Sequence, residues 1–88
     1  MEVQKSFIKN CEKYLFEQLS IGIRISDDKK FLFSSVITLD DINLYKGKID
    51  LIYQTSNLCI NLDDINYRDT KDEYYTKIDN IIIDIWFL

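Results

Sequence analysis

The chain has 88 residues, of which 47% are hydrophobic and 30% charged, and carries a net charge of −4 at neutral pH. A domain of this length buries only somewhat more than about 60% of the surface its unfolded form exposes, which excludes a large enclosed active-site cavity. Histidine is absent and glycine stands only at positions 22 and 47, so the commonest general base, the serine and cysteine triads, most catalytic zinc sites and glycine-rich phosphate loops are excluded together.

In chain order, a 100° spacing from Glu2 to Ser20 places Val3, Phe7, Ile8, Cys11, Tyr14, Leu15 and Leu19 on one face and Lys5, Lys9, Glu12, Lys13 and Glu17 on the other. This predicts an amphipathic helix, with Phe16 as a lone aromatic on its charged side. The period then changes to two. Ile21, Ile23 and Ile25 alternate with Gly22, Arg24 and Ser26, the pattern of a strand with one buried face. After a turn at "DDKK", residues 31–39 place Phe31, Phe33, Ser35, Ile37 and Leu39 on one side and Leu32, Ser34, Val36 and Thr38 on the other. The turn "YKGK" precedes a strand at 49–53, "QTSN" precedes a short one at 58–62 with Leu58, Ile60 and Leu62 inward, and 78–88 reads as a strong final strand. The expected fold class is α+β, an N-terminal amphipathic helix packed on one face of an antiparallel meander of about five strands, forming a single domain over 1–88.

Two features of this pattern bear on function. In the last strand Ile81, Ile83, Ile85 and Phe87 supply one side, yet Ile82, Trp86 and Leu88 interrupt the polar alternation on the other, where Leu32, Val36 and Ile52 are expected to join them. A sheet surface this apolar calls for cover by residues 63–77, a second copy or a partner. The second feature is local acidity. Residues 1–62 hold eight acids and eight bases, whereas 63–88 hold seven acids against Arg68, Lys71 and Lys77. Within that segment the acids Asp63, Asp64, Asp69, Asp72 and Glu73 interleave with Tyr67, Tyr74 and Tyr75. Together with Trp86 these are the candidate partner-binding residues, because tyrosine and tryptophan dominate interface energetics and neighbouring carboxylates steer a basic partner.

The same acids lack the alternate spacing and the glycine of a calcium loop, so no metal site and no cofactor are expected. Basic residues are scattered beside acids, which argues against direct nucleic-acid binding. No apolar run reaches the roughly 20 residues of a membrane span and the N-terminal stretch lacks a signal-peptide core, so no membrane association and a cytoplasmic location are expected. Cys11 and Cys59 have no CxxC spacing and read as reduced packing residues. Carboxylate-only catalysis needs a cleft that this chain can hardly enclose, so no enzymatic activity is expected. In size, acidity and missing catalytic chemistry the chain resembles small bacterial and phage inhibitors. That character implies an immunity protein (antitoxin) that occludes a cognate protein toxin, such as a basic nuclease. The alternatives are a phage anti-CRISPR or anti-restriction protein blocking a nucleic-acid-binding groove, and a homodimeric structural or adaptor subunit.

Finally, "LDDIN" occurs twice, at 39–43 and 62–66. Each copy follows a strand, and Asp and Asn favour turns and helix starts, so the stretch reads as one strand exit used twice.

Overall fold

The computed structural model describes residues 2–69 and 72–88, and Lys71 therefore lies outside the described part. Helix α1 spans Glu2–Glu17. It stops because Gln18 turns left-handed at φ 55°, which lets Leu19 N donate back to Tyr14 O at 3.0 Å in the manner of a helix C-cap. The Gln18 side chain then clamps the junction, its Nε2 donating to Leu15 O at 2.8 Å and to Leu39 O at 3.1 Å.

Among the described residues eight strands follow: β1 (Ser20–Ser26), β2 (Phe31–Thr38), β3 (Asp41–Tyr45), β4 (Lys48–Tyr53), β5 (Ser56–Asn61), β6 (Asn66–Tyr67), β7 (Glu73–Ile78) and β8 (Ile81–Phe87). They form a five-stranded sheet in the order β2-β1-β8-β7-β6 and a three-stranded sheet in the order β3-β4-β5, with antiparallel pairing throughout. The α+β class, with an N-terminal helix against an antiparallel sheet, is what the structure has. The strands form two meanders rather than one, β3-β4-β5 and β6-β7-β8, and β8 closes the larger sheet by inserting between β1 and β7.

Turn chemistry explains the hairpins. Asp27 Oδ1 accepts from Lys29 N at 2.8 Å and Lys30 N at 2.7 Å, an Asx-type turn that reverses the chain at "DDKK". Lys46 and Gly47 both have positive φ, 47° and 76°, the requirement of a tight two-residue hairpin, so Tyr45 pairs directly with Lys48. This turn makes β3 a strand where a turn was expected.

The two "LDDIN" copies take different structures, which corrects the reading of one device used twice. In the first, Asp40 N donates to Ile52 O at 2.7 Å and Asp40 Oδ2 accepts from Gln54 N at 2.7 Å, and the stretch runs on as β3. In the second, Leu62–Asp64 forms a 3-10 turn capped by Asn61, whose Oδ1 accepts from Asp63 N at 3.0 Å. The preceding residue decides: Asn61 supplies a capping oxygen in the right place, and Thr38, two residues before Asp40, does not.

Buried residues from all layers form one cluster. Phe7 and Cys11 enter from α1, Ile21, Ile23, Ile37, Tyr74, Ile83, Ile85 and Phe87 from the inner face of the five-stranded sheet, and Leu39, Ile49, Leu51, Ile60, Leu62 and Ile65 from the smaller sheet and its exit. Beneath the helix lies an aromatic group in edge-to-face contact: Phe7 to Tyr74 at 5.0 Å between centroids, Tyr74 to Phe87 at 5.6 Å and Tyr14 to Phe87 at 5.0 Å, a geometry favourable for ring quadrupoles. Phe16 is 89% exposed on the opposite side of the helix. Burial pushes the Cys11 thiol pKa well above its ordinary value, Glu12 adding to the effect. Cys11 and the exposed Cys59 are both free.

Candidate protein-binding surface

The helix covers the inner face of the five-stranded sheet, and among the described residues no element covers the outer face. Register sets out that outer face row by row. One row runs Val36, Gly22, Trp86, Glu73; the next runs Ser34, Arg24, Asp84, Tyr75; a third includes Ser26, Ile82 and Lys77. Gly22 is what lets Trp86 lie flat: a Cβ built at position 22 would stand 2.1 Å from Cε2 of the indole. A one-residue bulge in β2, where Phe31 pairs with Ser26 and Phe33 with Ile25 so that Leu32 has no partner, carries Phe31 to this outer face. Phe31 therefore departs from its expected alternation, and the Arg24 guanidinium stands over its ring at 5.6 Å from the centroid.

Arg68 is the hub of the face. Its backbone N donates to Glu73 O at 2.8 Å, which extends the β6–β7 pairing by one step. Its Nε donates to Asp84 Oδ1 at 3.0 Å, its NH2 group makes a second bond to the same oxygen, and its guanidinium stacks 4.5 Å from the Tyr75 centroid. The Asp84 hydrogen bond raises the Arg68 pKa further above its usual range. Arg24, Ser26, Arg68, Asp69, Glu73, Ile82, Asp84 and Trp86 line an open depression of about 510 Å³. Aromatic rings and arginine beside carboxylates on an uncovered sheet match the residue chemistry of protein interfaces.

The sequence-derived candidates divide between two sides of the sheet. Glu73, Tyr75, Trp86 and Asp69 meet on the outer face. Tyr74 does not: it is fully buried, its hydroxyl 2.7 Å from Ser6 Oγ and accepting from Asn10 Nδ2 at 2.9 Å. Burial raises its pKa against the lowering effect of those two bonds. Tyr67 is half-buried on the same inner side, its ring 5.4 Å from that of Tyr74 and its hydroxyl buried without a partner. Both tyrosines belong to the core rather than to a binding surface, because Tyr67 and Tyr74 are cross-strand neighbours on the helix side. Asp63 and Asp64 are exposed on the 3-10 turn, also on the helix side, where Gln4 Nε2 reaches Leu62 O at 2.9 Å and Asp63 Oδ1 at 3.4 Å. Asp72 is exposed in the turn just before β7. The expected cover is corrected too: of the described residues in 63–77, those of β6 and β7 extend the sheet edge to edge rather than folding over it, and Ile52 belongs to β4 in the other sheet.

Arg24, Arg68 and Asp84 were missed as members of the face. For Arg24 and Asp84 the signal is the two-residue period, since Arg24 shares a side with Gly22, and Asp84 with Ile82 and Trp86; Arg68, just past β6, carries no such signal. A second polar group sits on the three-stranded sheet, where the Tyr45 hydroxyl lies 3.4 Å from Asp50 Oδ1 and 3.9 Å from Cys59 Sγ; these contacts, Cys59 first and then Asp50, raise the Tyr45 pKa. Among the described residues no group of three or more His, Cys, Asp or Glu side chains is placed to hold a metal ion, and no helix is long and apolar enough to cross a membrane. Compared with known proteins, the chain matches no protein-family model, and no curated protein or solved structure is detectably similar to it.

Proposed function

We propose that this protein is a small non-enzymatic inhibitor that binds another protein through the outer face of its five-stranded sheet, in the manner of an immunity protein that occludes the cationic active site of a cognate toxin such as a basic nuclease. One observation carries the reading: Trp86, Tyr75 and Arg68 lie together on an uncovered sheet face with Asp69, Glu73 and Asp84 among them. The rings supply rigid contact area whose desolvation sets the lifetime of a complex, and the carboxylates speed the approach of a basic surface. A nucleic-acid-binding groove in a phage-defence complex is the alternative target with the same chemistry, and the identity of the inhibited protein separates the two.

The test is capture of the partner from the native host followed by binding kinetics and an inhibition assay. Trp86→Ala or Tyr75→Ala is expected to raise the dissociation rate, at about 2 kcal/mol for a central aromatic, and Glu73→Lys to slow association with a reduced salt dependence. A captured protein that retains full activity in the complex, or that binds all three variants equally well, overturns the proposal.

A further inference from the structure

We propose that the free edge of β2 is a self-association surface, at which a second copy of this chain adds antiparallel and joins two five-stranded sheets into one. The proposal stands independently of what the outer face binds. Among the described residues β2 pairs only with β1, and Phe31, Leu32, Phe33 and Val36 are 54%, 45%, 47% and 61% exposed along it. The other edge of the sheet, β6, is two residues long. β2 has eight residues, "FLFSSVIT", none charged and none proline. Apart from the bulge at Leu32, it carries none of the devices that keep an edge strand from pairing.

The backbone of that edge is aimed outward. Leu88 N donates to Ser20 O, and Phe87 N to Asp72 O, so Ser20 turns its polar groups toward β8 and Ile21, next along, toward β2. Antiparallel alternation then directs Phe33, Ser35 and Ile37 at β1 and leaves the N–H and C=O groups of Ser34, Val36 and Thr38 pointing away from the sheet. The strand is also complementary to itself. With the two Ser35 residues facing each other at a twofold axis, Phe33 meets the partner's Ile37 on the inner side and Val36 meets the partner's Ser34 on the outer side. Small serines occupy the centre, where opposed Cα atoms approach most closely. Charge selects the direction: β2 is preceded by Lys29 and Lys30 and followed by Asp40 and Asp41. Antiparallel addition brings each lysine pair to the partner's aspartates, and parallel addition would set like charges together. The twofold axis is normal to the sheet, so both Trp86-bearing faces look the same way.

Light scattering after size exclusion, and sedimentation across a concentration series, test this. The expected species has twice the 10.5 kDa chain mass, and the amides of Ser34 and Val36 become protected from hydrogen exchange as it forms. Val36→Lys, checked by circular dichroism for an intact fold, is expected to weaken dimerisation at least roughly tenfold. Lys29→Glu and Asp41→Lys are each expected to weaken it, and the double variant to restore it. A chain that stays monomeric up to roughly 1 mM, or a dimer in which those two amides exchange freely and Val36→Lys has no effect, overturns the proposal.

Discussion

Trp86 lies across Gly22 so closely that any side chain at position 22 would occupy the space of the indole, its Cβ falling within 2.5 Å of three ring atoms. A strand interior normally loses about 0.5–1 kcal/mol by having glycine in place of alanine. Forcing a methyl group into an occupied space costs about 1–3 kcal/mol, so the steric effect wins. Gly22→Ala is therefore expected to fold but to be less stable, with the indole displaced toward solvent. Denaturant unfolding and a red shift of the single tryptophan's fluorescence check it; unchanged fluorescence would mean that the ring does not rest on Gly22.

Removing the hydroxyl of Tyr74 separates its core role from a surface one. Tyr74→Phe keeps the ring contacts but leaves Asn10 Nδ2 and Ser6 Oγ without their partner, at a cost of about 1–2 kcal/mol. Unfolding measurements should show that loss, whereas affinity for the captured partner, measured well below the unfolding midpoint, should stay unchanged.

Alkaline pH should weaken the fold in a defined order. The folded state raises the pKa of the Cys11 thiol by burial, so its contribution is fully present below the unfolded thiol value of about 8.5 and is lost as pH rises through the higher folded value. From the unfolded value upward, until the folded value is reached, stability should fall by up to about 1.4 kcal/mol per pH unit, and Tyr74, likewise raised, adds its own decline above about pH 10. Urea midpoints measured between pH 7 and 10 should fall, and Cys11→Ala should remove the earlier part of the slope while lowering stability at pH 7.

The two aspartate pairs should respond differently to alanine. Asp40 ties the start of β3 to the β4–β5 turn through Gln54 N, so Asp40→Ala is expected to cost about 1 kcal/mol. Asp64 is exposed and offers its backbone carbonyl, which accepts from Asn66 Nδ2 at 3.2 Å, so Asp64→Ala should stay within about 0.5 kcal/mol. Thermal or urea unfolding of the two variants side by side measures the difference.

The helix and the strands at β1, β2, β4, β5 and β8 were legible because their apolar residues repeat at 3.6 or 2.0. β3 was obscured by a change of phase: inward residues are odd through Leu39 and even from Ile42, because the chain passes from one sheet to the other between them. β7 was obscured by composition. Glu73, Tyr75 and Lys77 face outward and Tyr74 and Thr76 inward, a period of two that a dense run of charges conceals. For the same reason the tyrosines of the acidic segment read as one group in the sequence, whereas adjacent residues of a strand face opposite sides, which sends Tyr74 to the core and Tyr75 to the outer face. The Arg68–Asp84 pair joins the residue that follows β6 to a residue of β8, and only the register of the intervening β7 brings them into contact.

The insertion of β8 between β1 and β7 sets the timing of folding. During synthesis β1 and β2 leave the ribosome early, yet the strand that must lie beside β1, residues 81–87, emerges some sixty residues later by the numbering. Until then Ile21, Ile23 and Ile25 have only a hairpin partner on one side, and the helix has no finished sheet to cover. The central pairing of the fold is thus its most distant in sequence, which makes folding slow for so small a chain and leaves the β1–β2 hairpin, with its apolar free edge, waiting on the nascent chain.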